Sequence, residues 1–179
     1  MRVLTLNIHK GYTALNGRFM LHELKEAIRE VGADLVFLQE VQGEHREKAA
    51  REERWPDAAQ YEFLADQIWK EYAYGQNVAY QQGHHGNAIL SHYPIAHAEQ
   101  VDVSTNRLER RGFLFCEIDI PNHGALYAIC VHLGLTAAGR RKQLRMITDF
   151  IRAEVPDDAP LIVAGDTNDW SGVPTRKFS

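Results

Sequence analysis

The feature that most constrains this chain is a set of short apolar runs, each ending on a polar residue. "RVLTLNI" (residues 2–8) alternates apolar and polar side chains and reaches Asn7. "ADLVFLQEV" is a compact buried run that reaches Gln39 and Glu40. "ALYAICVHL" reaches His132, and "PLIVAGD" reaches Asp166, with Asn168 two positions on in the turn "GDTND". Short runs with period-two alternation, bounded by turn residues, are strands rather than helices.

Between the strands lie segments with helical spacing. "FMLHELKEAIREVG" places Met20, Leu21, Leu24, Ile28 and Val31 on one face, and Gly32 follows as a stop signal. "DAAQYEFLADQIWKEY" reads as a second helix, with Tyr61, Leu64, Ile68 and Tyr72 on one side. "AAGRRKQLRMITDFIRAEV" reads as a third, with Leu144, Ile147 and Ile151 inward. The mixed charges of "EHREKAAREER" suit an exposed helix or loop. In the middle, "NVAY" and "NAILS" flank a Gly-rich loop, "QQGHHG". "AEQVDV" follows, and "GFLFCEIDI" pairs with "ALYAICVHL" through the turn "PNHG" as a hairpin. Strands outnumber helices, so the expected fold is a sheet-rich α/β sandwich rather than a regular βαβ array.

At 179 residues the chain is expected to form one domain, residues 1–179. Its 20 Lys and Arg against 24 Asp and Glu give a net charge of −4, so the chain as a whole is no basic nucleic-acid surface. A bound metal ion can still supply positive charge locally. No apolar run is long enough for a membrane span, and Met1 leads straight into a strand-like stretch without a secretory leader pattern. A cytoplasmic location is expected, with Cys116 and Cys130 as buried free thiols.

Taken singly, the polar strand ends have ordinary readings. Asn7 suits a turn amide, Glu40 a surface ion pair, His132 a hydrogen-bonded half-buried histidine, and "GDTND" an Asx turn. Taken together they are hard oxygen donors of the kind Mg²⁺ or Mn²⁺ prefers, amides that donate to phosphate oxygens, and an imidazole. That set suits metal-assisted phosphoester hydrolysis. The chain has no G-x-S-x-G elbow, P-loop, dinucleotide glycine motif or zinc spacing. Lys10 is a candidate contact for a substrate phosphate. His84 and His85 are either substrate contacts at the mouth of a site or an ordinary polar turn. Arg140, Arg141, Lys142 and Arg145 are either a solvated face or a phosphate-recruiting edge.

In order along the chain, "TLNIHKG", "LVFLQEV", "GNAILSHYPI", "RRGFLFCEI", "VHLGL" and "VAGDTND" resemble the endonuclease/exonuclease/phosphatase superfamily with its DNase I-like fold. The wording is most similar to small bacterial members of undefined substrate. It departs from AP endonucleases, since "VDVSTNRLER" lacks the tyrosine those carry before the arginine matching Arg111. The resemblance implies a two-sheet sandwich flanked by helices, with the site at one end between the sheets. It implies Glu40 as the main ligand of Mg²⁺ or Mn²⁺, with Asn7 as a metal or phosphate contact. It further implies His132 on the scissile phosphate, Asp166 orienting the attacking water and Asn168 holding a phosphate oxygen. Arg111 would lie at the substrate groove, and Asn87 of "GHHGNAILS" joins Lys10, His84 and His85 as a candidate substrate contact. The substrate would be nucleic acid, a phospholipid head group or a small phosphoester.

The family pattern continues past the D-x-N turn with another strand, an aspartate and a terminal Ser-Asp-His-type motif. Residues 170–179 contain none of these. The resemblance therefore implies a domain lacking its C-terminal strand region, impaired activity, and an open sheet edge available for self-association. Three origins fit: a truncated enzyme, a catalytically inactive phosphate- or nucleic-acid-binding module, or a fragment completed by a partner strand. Trp170, beside the turn, is a candidate wall of the site.

Overall fold

The computed structural model describes residues 1–13, 17–106 and 109–169; Trp170 and the residues after it lie outside this range. In chain order the elements are β1 (Val3–Asn7), α1 (Leu21–Val31), β2 (Leu35–His45), α2 (Arg46–Arg51), α3 (Gln60–Ala65), β3 (Glu71–Tyr80), β4 (Gly83–Ser91), β5 (Ile95–Asp102), β6 (Gly112–Ile120), β7 (Gly124–His132), α4 (Ala137–Glu154) and β8 (Leu161–Asp166). The strands form two four-stranded sheets, ordered β1-β2-β4-β3 and β5-β6-β7-β8.

Each sheet contains one parallel pair. β1 runs parallel to β2, with Asn7 opposite Gln39, and β7 runs parallel to β8, with His132 opposite Asp166. A parallel pair needs a crossover, and α1 and α4 supply them. The remaining pairs are antiparallel, and β6 and β7 form the expected hairpin, with Ile120 opposite Gly124.

Strand alternation sorts the core into layers. On β2, Leu35 and Phe37 face the other sheet, whereas Val36 and Leu38 join Leu21 and Ile28 of α1 on the outside. On β6 and β7, Leu114, Cys116, Ile118, Leu126, Ala128 and Cys130 fill the space between the sheets. Phe113, Phe115, Ile129 and Val131 of these strands face outward against Ile147 of α4. Strands covered on both faces read as near-continuous apolar runs, which is why "LVFL" and "GFLFC" look as they do. Each fully buried Leu, Ile or Phe contributes about 1.5–3 kcal/mol. Trp69 is wholly buried and its indole N–H donates to the Ala33 carbonyl at 2.9 Å. Trp55 stacks on Phe19 with ring centroids 5.4 Å apart.

Several boundaries differ from expectation. The second helix stops at Ala65, because Asp66 takes a left-handed conformation (φ 48°), and Tyr72 belongs to β3. Val31, in the last turn of α1, is exposed. The segment "QQGHHG" is mostly strand: Gln81 and Gln82 make the turn, and β4 begins at Gly83. A glycine is required at position 86, where a Cβ would collide with the backbone oxygen of Gly75 on the neighbouring strand. Cys116 and Cys130 are buried free thiols, and burial pushes both up to about 12. They stand diagonally on adjacent strands, Cys116 opposite Ala128 and Cys130 opposite Leu114. No helix among the described residues is long and apolar enough to cross a membrane.

Candidate active site

The C-terminal ends of the two parallel pairs meet at one end of the sandwich. On β1, Leu4 and Leu6 pack outward, which turns Asn7 toward the other sheet. On β7, Leu126, Ala128 and Cys130 face inward, and His132 continues that row. On β8, Ile162 and Ala164 face inward, and Asp166 continues theirs. The same alternation that builds the core therefore delivers Asn7, His132 and Asp166 into one space.

Glu40 gets there by a different route. Regular alternation would point it outward, on the side of Val36 and Leu38. The β2–β4 register shifts between Leu38 and Val41, and Glu40 adopts φ 54°. This bulge re-aims the carboxylate, a device common beside active sites. Left-handed backbone at a non-glycine residue costs about 1–3 kcal/mol and persists only where the surroundings enforce it.

Asn7 joins the pieces. Its Nδ2 donates to Glu40 Oε1 at 3.2 Å and to Asp166 Oδ2 at 3.0 Å, and its Oδ1 accepts from the backbone N–H of His9 at 3.0 Å. Lys10 Nζ donates to Glu40 Oε2 at 3.2 Å. His132 Nε2 is 3.9 Å from Asp166 Oδ2. Asn168, also left-handed (φ 49°), donates its backbone N–H to Asp166 Oδ1 at 2.9 Å and its amide to the Leu133 carbonyl at 2.8 Å. Gly165 sits against β7 with φ 147°, where any Cβ would strike the Val131 carbonyl oxygen. That close approach sets Asp166 beside His132.

The electrostatics follow from this packing. Burial works to raise the Glu40 carboxyl, but the Lys10 ammonium and the hydrogen bonds from Asn7 and Lys10 outweigh it and hold the group below its ordinary value. Burial lowers His132, assisted by the positive charge of Arg111, against the pull of Asp166 and Glu40. The site thus pairs an ionised glutamate with a neutral imidazole near pH 7.

The other sequence candidates distribute unevenly. Asn87 is fully buried and donates to the carbonyls of Gly112 (3.0 Å) and Cys130 (3.2 Å), beneath the site. His85 shares its face of β4, and burial pushes its imidazole down to about 4. His85 Nδ1 and Asn87 Oδ1 are buried without a hydrogen-bond partner. His84 points to the opposite face, where its Nδ1 is 2.9 Å from the Tyr74 hydroxyl, so it does not join the cluster. Arg111 pairs with Glu109 at 3.0 Å and donates to the Leu133 carbonyl at 3.2 Å. It borders His132 with its guanidinium already engaged. Arg140 is tied to Asp169 at 3.3 Å, whereas Arg141, Lys142 and Arg145 face solvent. The sequence assigns His9 no role beyond that of one of several histidines that could complete the site, and its Nδ1 lies 3.8 Å from Glu40 Oε1. Its position two residues after Asn7 was the available signal.

Among the described residues there is no group of three or more His, Cys, Asp or Glu side chains suited to a metal ion. Mg²⁺, however, is commonly held by one or two carboxylates, with waters and substrate phosphates completing the shell. Glu40 and Asp166, held together through one amide, fit that pattern, and the Lys10 ammonium already occupies a cation's place on Glu40.

Two mixed sheets packed face to face, helices outside and polar strand ends gathered between the sheets define a DNase I-like sandwich. A model described as the Endonuclease/Exonuclease/phosphatase family matches residues 4–178, and the chain belongs to that family. It is 54% identical over 170 residues to the uncharacterized protein YbhP of Escherichia coli K12, covering 94% of this chain and 67% of that protein. Among solved structures it is similar to an endonuclease/exonuclease/phosphatase from Beutenbergia cavernae (TM-score 0.75, 23% identity, 100% of this chain and 50% of that one). It is also similar to a humanized D. rerio TDP2 (TM-score 0.65, 22% identity, 94% of this chain and 62% of that one). The chain thus spans half of the Beutenbergia protein and 67% of YbhP.

Proposed function

We propose that this site hydrolyses phosphoesters with the help of Mg²⁺ or Mn²⁺ held at Glu40, with Asn7 beside it. The observation that carries the reading is the single amide of Asn7 bonded to carboxylates from two different sheets. An uncharged clamp between two like charges serves little purpose in a stable core. It serves well where a cation and a phosphate are to be bound. The ion, when bound, neutralises charge on the phosphoryl and leaving oxygens.

The protein groups have distinct parts in this proposal. Neutral His132 offers a ring N–H to a phosphoryl oxygen. Asp166, fixed through both oxygens by Asn7 and Asn168, orients the attacking water toward phosphorus. Asn168 keeps a second amide hydrogen for a phosphate oxygen. Lys10, bonded to Glu40 in the structure, would be free to face the substrate phosphate if Glu40 held an ion. Family membership supports a phosphoester as the substrate class.

The test is hydrolysis of bis(p-nitrophenyl) phosphate by the wild-type chain and by Glu40→Gln, with Mn²⁺, with Mg²⁺ and with a chelator. Turnover that needs the metal and is lost in Glu40→Gln is the expected result. Turnover that survives either change contradicts it. Mn²⁺ binding without turnover would make the chain a phosphate-binding module instead.

A further inference from the structure

Beside the site is an open hollow of about 300 Å³, lined by Tyr12, Lys48, Arg51 and Glu52. It is built from two segments that the catalytic proposal does not use. One is the chain leaving the short 3-10 turn at His9–Gly11, which carries Tyr12 just past Lys10. The other is α2, which follows β2 directly and places Lys48 and Arg51 one turn apart.

The hollow is joined to the site. Lys10 contacts Glu40 at 3.2 Å, and Tyr12 is two residues later, a backbone step of at most about 7 Å. Gln60 anchors this step by donating to the Lys10 carbonyl at 2.9 Å. Lys48 is half-buried; burial, and after it the charge of Lys10, hold its ammonium below the ordinary value, so the two cations share one neighbourhood. Lys48 Nζ lies over the Tyr12 ring at 4.4 Å from its centroid. None of the ion pairs among the described residues uses Lys48 or Arg51. Glu52 is the one acid in the lining, so the cations prevail, and the charge of Lys10 is felt at Lys48.

We infer that the hollow is a second-phosphate subsite, which makes a phosphoester carrying another phosphate one unit from the scissile group the preferred substrate. Lys48 and Arg51 would take the second phosphate, and the exposed part of Tyr12 would border the group linking the two. Basic side chains without acidic partners are suited to this, because phosphate offers several acceptor oxygens at once. An apolar leaving group would leave both cations unused. The inference rests on the proposed phosphoesterase site, whose Lys10 stands two residues before Tyr12 of the hollow.

The experiment compares binding of thymidine 5′-monophosphate and thymidine 3′,5′-bisphosphate, by calorimetry, in the wild type, Lys48→Gln, Arg51→Gln and Glu40→Gln, with Mn²⁺ present. The wild type should favour the bisphosphate, and each cation removed from the hollow should cut that preference about two- to fivefold while leaving the monophosphate unchanged. Both substitutions lie on an exposed six-residue helix, so far-ultraviolet circular dichroism confirms that the fold is kept. Equal binding of both nucleotides by the wild type, or a preference that survives both substitutions, overturns the subsite. If monophosphate binding still depends on Glu40, the catalytic proposal stands without it. If neither nucleotide binds, both fail. Hydrolysis of single-stranded oligonucleotides against small bisphosphate diesters then separates the two sources of a second phosphate.

Discussion

Asn7 Nδ2 donates to Asp166 Oδ2 at 3.0 Å, a bond between residues 159 positions apart that joins the end of β1 to the end of β8. The two strands belong to different sheets, so this contact ties the sandwich together at the site itself. The same nitrogen donates to Glu40 Oε1 at 3.2 Å.

Replacing Asn7 by leucine keeps its approximate volume and removes both donors. Glu40 and Asp166 would then face each other without a clamp, and the Glu40 carboxyl would rise. A misplacement of about 1 Å in such a constellation typically costs about a hundredfold in rate. The Mn²⁺-dependent kcat/KM of Asn7→Leu is expected to fall by about that factor, and a rate equal to wild type would show that the clamp is dispensable.

Gly165→Ala acts on the fold and the site together. The added Cβ meets the Val131 carbonyl oxygen at φ 147°, so β7 and β8 must separate. Overpacking of this kind costs about 1–3 kcal/mol. The urea midpoint should drop accordingly, and phosphoester hydrolysis should drop further than stability alone explains, because Asp166 follows directly. An unchanged midpoint would contradict the packing described.

Much of this was legible in the sequence, and the parts that were not share a physical cause. Asn7, His132 and Asp166 obey period-two alternation, so once the runs are strands these residues continue inward rows. Glu40 breaks the alternation through a bulge, and no local pattern in "LVFLQEV" announces a left-handed residue. In "QQGHHG" the glycines looked like a loop, because close strand approach and chain reversal use the same residue. That concealed the alternation that sends His85 into the site and His84 away from it. The second helix ended early for a similar reason: its apolar spacing continues to Tyr72, while the conformation of Asp66 stops it at Ala65. Arg111 is engaged by Glu109, only two residues before it, through a local loop geometry that the residue types do not announce.

Acid should weaken the fold through the buried histidines. Burial holds His85 at about 4 in the folded chain, and His132 is lowered too. In the unfolded chain both titrate near ~6.5. The unfolded state therefore takes up protons first as pH falls, so this contribution is intact above ~6.5 and is lost progressively toward about 4. Urea midpoints should decline over that window, and His85→Asn should flatten the decline. A midpoint in His85→Asn that falls as steeply as wild type would mean that His85 is not buried in its neutral form.

The most direct test of one site shared by two sheets is the Mn²⁺ affinity of the wild type, Glu40→Gln, Asp166→Asn and the double variant, measured by isothermal titration calorimetry. In the proposed site Glu40 holds the ion and Asp166 orients the water beside it, so neutralising Glu40 should cost about tenfold or more in affinity, as loss of a metal-site partner typically does, and neutralising Asp166 should cost less. Because both act on the same ion through the same amide, the double variant should lose less than the two single losses combined. Affinity unchanged in Glu40→Gln, or losses that simply add, would contradict a site in which Glu40 of one sheet and Asp166 of the other hold the same guest.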